Sequence, residues 1–160
     1  PDMQEIVQHY GINYEYMPVN KTNKASKEKQ LLSLIKKYKI DLIVLARYMQ
    51  VLSPNLCKKL KGKIINIHHS FLPSFKGARP YHQAYIKGVK IIGATAHYVT
   101  DKLDEGQIIE QDVGRVDHTK DLEDFVSMGR DIENVVLMRA IKWHLQHRVI
   151  INKNSTVVFN

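Results

Sequence analysis

Short apolar runs separated by stretches of helical periodicity constrain the fold of this chain more than any other feature. Asp41-Leu42-Ile43-Val44-Leu45-Ala46 is apolar almost throughout, as expected for a strand covered on both faces. Ile64 to His68 and Ile91 to Val99 read as further buried strands, and Gln107 to Val116 adds one more. Ser53-Pro54 supplies an N-cap and a first-turn proline for a short helix to about Leu60. Pro80 to Lys87 reads as a helix stopped by Gly88. A long helix from about Asp121 to His147 turns Leu122, Phe125, Ile132, Val136 and Ala140 inward, and its Gly129 allows a neighbouring element to approach closely. Strands alternating with helices specify an α/β fold with a parallel sheet.

The two ends follow the same logic. Pro1 to Tyr10 reads as part of a helix with Ile6, Val7 and Tyr10 on one side, followed by a strand-like stretch from Ile12 to Val19. Ser26 is the expected N-cap of a helix running to about Lys39, with Leu31, Leu34, Ile35 and Tyr38 inward. Val149-Ile150-Ile151 and Thr156-Val157-Val158-Phe159 predict a hairpin turning at Asn152-Lys153-Asn154.

Composition excludes several classes of protein. The 160 residues suit one domain, and 44% hydrophobic content is normal for a globular core. No apolar run approaches the roughly 20 residues that span a bilayer, so no membrane partner is expected. The single cysteine, Cys57, forms no internal disulfide and sits without a motif around it, which favours a structural role and a cytoplasmic location. The net charge of +8 invites a nucleic-acid reading. The lysines argue against it, because Lys21, Lys24, Lys27, Lys29, Lys36, Lys37 and Lys39, then Lys58, Lys59, Lys61 and Lys63, interleave with leucines rather than with stacking aromatics. They describe a solvated surface whose field draws in polyanionic small molecules, and no nucleic-acid partner is expected. No HExxH or paired-cysteine spacing is present, so no metal site is expected. No glycine-rich phosphate loop and no GxSxG elbow is present either.

Chemistry concentrates in Ile64-Ile65-Asn66-Ile67-His68-His69-Ser70-Phe71-Leu72-Pro73 and in Leu103-Asp104-Glu105-Gly106. Residues i and i+2 of a strand share a face, so Asn66 and His68 project together. Asn66 is the candidate donor to the oxygen of a carbonyl under attack, and His68 titrates near neutral pH as a proton-transfer residue. Asp104, in a glycine-punctuated turn, is the candidate partner of the imidazolium or the attacking water. His69 points to the opposite face and reads as loop support, while His82 and His97 read as supporting residues rather than metal ligands. Two loops at the same sheet edge are candidate walls for a flat heteroaromatic ring. One carries Tyr48, Met49, Gln50, Val51 and Leu52 after Arg47; the other carries Tyr98, Val99, Thr100 and Asp101. The alternative for the first loop is that it caps the core over the sheet end.

These stretches resemble the folate-dependent formyltransferase family. Asn66-Ile67-His68, the Ser70-Phe71-Leu72-Pro73 continuation and Leu103-Asp104-Glu105-Gly106 match its Asn–His–Asp constellation. Pro80-Tyr81-His82-Gln83-Ala84-Tyr85, Ile92-Gly93-Ala94-Thr95-Ala96-His97-Tyr98-Val99 and the ending Asn154-Ser155-Thr156-Val157-Val158-Phe159 bring it closest to the deformylase branch. The sibling glycinamide ribonucleotide formyltransferases typically carry proline where this chain has His69. The resemblance implies a formyltransferase-type, Rossmann-like, mostly parallel sheet flanked by helices. It implies hydrolysis of 10-formyltetrahydrofolate to formate and tetrahydrofolate, with folate as substrate and no retained cofactor. Asn66 would polarise the formyl oxygen, His68 would carry protons, Asp104 would orient the water, and the two loops would hold the pterin. Formyl transfer to an amine such as glycinamide ribonucleotide, or folate binding without turnover, are the alternatives. Relative to the family pattern, residues 1–160 read as the catalytic domain, incomplete at its amino terminus and without the regulatory ACT domain, and a homo-oligomer is expected at full length. Gln107 is a further departure, since the family usually has proline there; the change loosens the turn behind Asp104 and removes no chemistry.

Overall fold

The computed structural model describes residues 2–72 and 79–159, which fall into two units, 1–40 and 41–160. The first carries helices α1 (Asp2–His9) and α2 (Lys24–Lys37). The strand expected over Ile12 to Val19 has no regular structure. A strand needs a partner for its N–H and C=O groups, and this unit holds no described strand to provide one. Helix α2 begins before Ser26, with Asn23 at its N-cap. The reason is a local turn: the Asn20 side-chain oxygen accepts from the backbone N–H of Thr22 and Asn23 at 3.0 and 2.9 Å. Ser26 instead donates its hydroxyl to the Asn23 carbonyl. Leu31, Leu34 and Ile35 are half-buried as the periodicity requires. Tyr38 stays exposed, with its hydroxyl 3.3 Å from Glu15.

The second unit contains the sheet. In chain order it runs β1 (Ile43–Leu45), α3 (Pro54–Lys59), β2 (Ile64–His68), α4 (Pro80–Ile86), β3 (Ile91–Tyr98), β4 (Ile108–Arg115), α5 (Leu122–Leu145), β5 (Val149–Asn152) and β6 (Ser155–Val158). The four-stranded sheet has the order β1-β2-β3-β4, and β5 and β6 form the expected hairpin. The sheet is mixed: β1 and β2 run parallel, whereas β2–β3 and β3–β4 are antiparallel. Strand–helix alternation by itself does not set direction. The connection from Tyr98 to Ile108 is too short for the dozen or more residues of a parallel crossover, so β3 and β4 must form a hairpin-like pair.

Local chemistry explains the helix limits. Ser53 caps α3 by accepting from the Leu56 N–H at 3.2 Å, with Pro54 opening the first turn. Asp121 and Asp124 form a reciprocal capping box at the start of α5, bonding each other's backbone N–H groups. Helix α4 ends at Ile86, ahead of Gly88.

Period-two alternation sorts the sheet into a core face and a polar face. Ile65, Ile67, Ala94, Ala96 and Tyr98 pack with Val136 and Ala140 of α5. Ala94 and Ala96 are fully buried, and their small side chains let the helix lie close to the strands. Complete burial of one isoleucine, as at Ile65, contributes about 1.5–3 kcal/mol. A second cluster joins Tyr81 and Ala84 of α4 to Ile92, Val116 and Phe125. Here the close approach expected at Gly129 is realised, since a Cβ on that residue would stand 2.2 Å from the Tyr81 ring. The Tyr81 hydroxyl donates to Glu133 at 2.6 Å, and burial, then that bond, pushes its pKa far above the ordinary phenol value. Among the described residues, no helix is long and apolar enough to cross a membrane.

Candidate active site

The polar face of the sheet is set by register. Asn66 and His68 share one face of β2, and the antiparallel pairing places His97 opposite Asn66 and Thr95 opposite His68. Cross-strand partners point the same way, so the four side chains form one polar patch over the apolar core. The Thr95 hydroxyl donates to the Ser70 carbonyl and accepts from the Leu72 N–H and the Gln111 amide, at 3.0, 3.1 and 2.9 Å. Those bonds pin the segment that leaves His68. Pro73, the last residue of the motif quoted above, lies outside the described residues.

Asp104 reaches this patch from the β3–β4 connection. Its Oδ2 lies 3.4 Å from His68 Nδ1, and its Oδ1 lies 3.7 Å from His97 Nε2. Asp104 holds a left-handed backbone, with φ of 54°, which an aspartate tolerates better than most residues. Hydrogen bonding from His97 comes first among the influences that hold its carboxyl below the usual carboxylate range; the charges of His68, His97 and His69 add to it, and partial burial opposes it. The ring of His69 stacks on that of His68, with centroids 5.4 Å apart and planes 16° apart. His69 therefore stays beside the site, where the sequence reading assigned it to the opposite face.

His97 is the residue that sequence reasoning undervalued. It is 2% exposed, and its Nδ1 lies 2.8 Å from the Tyr98 carbonyl oxygen. A carbonyl only accepts, so Nδ1 carries the proton. Nε2 then accepts from the Asn66 amide, 3.3 Å away, when the ring is neutral. Protonation turns the same nitrogen into a donor towards Asp104. Gly106 makes this geometry possible: a Cβ there would stand 1.6 Å from the Tyr98 oxygen and 3.2 Å from His97 Nδ1. The alternation Thr95, His97 against Ala94, Ala96, Tyr98 was the available sequence signal for both positions.

An open cleft adjoins the cluster. Asn66, His97 and Asp104 face it, and its walls include Tyr48, Gln50, Val51, Leu52, Val99 and Thr100, all expected from the sequence. Leu45, Lys102 and Leu103 complete the lining. His68 does not line this cleft; its Nδ1 is near Asp104, which does. Three expected wall residues lie elsewhere. Met49 is exposed, Asp101 is exposed, and neither borders the cleft. Tyr98 belongs to the core face, where its hydroxyl meets His144 Nδ1 at 2.8 Å. Its position in the alternation, one residue after His97, turns it away from the cleft. Burial raises the Tyr98 pKa and lowers that of His144, with His147 adding to the second shift. Cys57 is buried with its Sγ 3.3 Å from the Thr100 carbonyl, as a structural thiol should be. Among the described residues, no group of three or more His, Cys, Asp or Glu side chains is arranged to hold a metal ion.

A family model described as formyl transferase matches residues 2–141. The chain belongs to the formyl transferase family. Within that family it is 54% identical over 159 residues to the formyltetrahydrofolate deformylase of Bacillus subtilis (strain 168), an alignment covering 99% of this chain and 53% of that protein. It superimposes on the crystal structure of a formyltetrahydrofolate deformylase from Burkholderia mallei with a TM-score of 0.94 and 50% identity, covering 100% of this chain and 57% of that one. A phosphoribosylglycinamide formyltransferase from Anaplasma phagocytophilum gives a TM-score of 0.87 at 31% identity, covering 98% of this chain and 75% of that one. The formyltransferase-type fold implied by the sequence is thus the observed one. The chain spans about half the length of the curated deformylases that it matches.

Proposed function

We propose that this formyl transferase family member hydrolyses 10-formyltetrahydrofolate to formate and tetrahydrofolate. The observation that carries the reading is the Asn66–His97–Asp104–His68 cluster at the edge of a partly apolar cleft. The roughly 50% identity to proteins named formyltetrahydrofolate deformylase supports the hydrolytic branch. The pterin lies between the Tyr48–Leu52 and Val99–Thr100 walls. One hydrogen of the Asn66 amide is directed to His97, and the other donates to the formyl oxygen, stabilising negative charge as water adds to the carbon. Asp104 accepts from the attacking water and from His68 Nδ1. His68 takes up the proton that the water loses on adding and delivers it to the departing nitrogen of tetrahydrofolate as the C–N bond breaks; the formic acid released ionises to formate in solvent.

Folate is consumed in this scheme, and no cofactor is retained. The lysine-rich surface favours the anionic tail of folate over nucleic acid. The full-length protein acts in the cytoplasm as a homo-oligomer. Formate release from 10-formyltetrahydrofolate, with no amine present and with His68→Ala as control, tests the proposal. Release that His68→Ala abolishes supports hydrolysis. Absence of release, with formyl appearing on added glycinamide ribonucleotide, assigns transfer instead, and absence of both with retained folate binding leaves an inactive binder.

A further inference from the structure

The turn that presents Asp104 is tied to a part of the chain with no place in the proposed chemistry. Gln107, three residues on, donates its side-chain amide to the Lys153 carbonyl at the tip of the β5–β6 hairpin, at 2.8 Å. In the reverse direction, Thr156 of β6 donates its hydroxyl to the Ile108 carbonyl at 2.6 Å. These two bonds run in opposite senses, from adjacent residues of the turn to hairpin residues three positions apart. Together they fix both the distance and the rotation of the turn relative to the hairpin. The backbone of the turn is closed on its other side by the Tyr98 N–H donating to the Gln107 carbonyl at 2.9 Å. Gln107 therefore bonds β3 through its backbone and the hairpin through its side chain, so the residue expected from the sequence to loosen this turn instead ties it down.

We propose that the β5–β6 hairpin is a positioning clamp for Asp104, acting through Gln107 and Thr156. The proposal rests on the role assigned to Asp104 above. Asp104 has a left-handed φ of 54° and sits in a connection where Lys102, Leu103 and Glu105 are exposed. A carboxylate on such a turn keeps distances of 3.4 and 3.7 Å to two imidazoles only if the backbone behind it is held. The core does not hold it directly, because Gly106 is the turn's buried residue and has no side chain to anchor. The hairpin supplies the anchor that packing does not. Asn154, Ser155 and Thr156 also line, with Asp104, Glu105 and Gly106, a second open cleft. Gln107 and Thr156 are positioning residues: neither borders the cleft assigned to the pterin.

The test compares the full chain with Gln107→Met, Thr156→Val, the double variant, and Gln107→Lys, which keeps a donor at position 107. Two readouts are taken: formate release, and the ring-nitrogen NMR signals of His68. Release of the Asp104 turn lowers kcat about tenfold in the double variant, since sub-ångström to 1 Å misplacement at a reacting centre costs up to about 10². The Nδ1 signal of His68 moves towards its unprotonated position as the Asp104 partner recedes. Gln107→Lys restores most of both. His68 signals that stay unchanged in the folded double variant overturn the clamp, whatever the catalytic result. Shifted signals with no formate release from the unaltered chain overturn the proposed hydrolysis and leave the clamp standing.

Discussion

At the turn after β3, Gly106 lies against the Tyr98 carbonyl; at the α4–α5 contact, Gly129 lies against the Tyr81 ring. Both positions exclude a Cβ, yet the groups brought close differ. At Gly106 the close neighbours are backbone and imidazole, and that carbonyl sets the His97 tautomer, which orients Asn66 and faces Asp104. At Gly129 the neighbour is an aromatic ring already hydrogen-bonded to Glu133 and buried between two helices. The first glycine serves the positions of reacting groups at modest cost to the core. The second serves packing and touches no group in the proposed chemistry. Tight contact therefore does not by itself mark a functional site; what marks it is the polar, titratable character of the atoms held in contact.

Substitutions can break or sharpen that contrast. The largest effect is expected from the reacting groups themselves. His68→Ala should lower formate release by about 10²–10⁴ and Asn66→Ala by about 10²–10³, with little change in thermal stability, measured by turnover and calorimetry on the same samples. Gly106→Ala comes next. The added methyl must displace the Tyr98 carbonyl, so activity should fall about 10²-fold while the helices and strands remain by circular dichroism. An active Gly106→Ala protein would end the idea that this turn fixes His97.

Gly129→Ala should show the opposite pattern. Alanine favours a helix by about 1 kcal/mol, but the clash with a pinned ring outweighs it, giving a net loss of about 1–3 kcal/mol in denaturant unfolding with kcat unchanged in folded protein. The smallest effect concerns pH. The folded-state Asp104 carboxyl titrates below its ordinary value, so its contribution to stability is complete above about pH 5, roughly a unit over the unfolded value, and is lost as pH falls through the lowered folded value. Asp104→Asn should flatten that acid limb in unfolding curves measured at successive pH values; an unchanged limb would show that Asp104 is not held by its imidazole neighbours.

Much of this molecule follows from local rules. Ser53-Pro54 and the Asp121–Asp124 box start their helices where capping chemistry requires, and α5 turns Phe125, Gly129, Val136 and Ala140 inward at helical spacing. The two-residue period placed Asn66 and His68 on one face before any fold was known. Sequence reading failed where the answer depended on a partner. Ile12 to Val19 has strand-forming residues and no described strand to pair with, and Asn20 starts α2 earlier than Ser26 would. Tyr98, grouped with the pterin loop, belongs by alternation to the core, and Met49 and Asp101 remain outside the cleft.

The sequence by itself determined the strands and helices of the 41–160 unit and the shared face of Asn66 and His68, because those depend on spacing along one segment. Only the tertiary structure decided that His97 stands opposite Asn66, that Asp104 returns between two imidazoles, and that Gln107 bonds a hairpin some 46 positions away. Those contacts arise from strand register and from a turn closing over the sheet, and register is fixed by the packing of one whole face against α5.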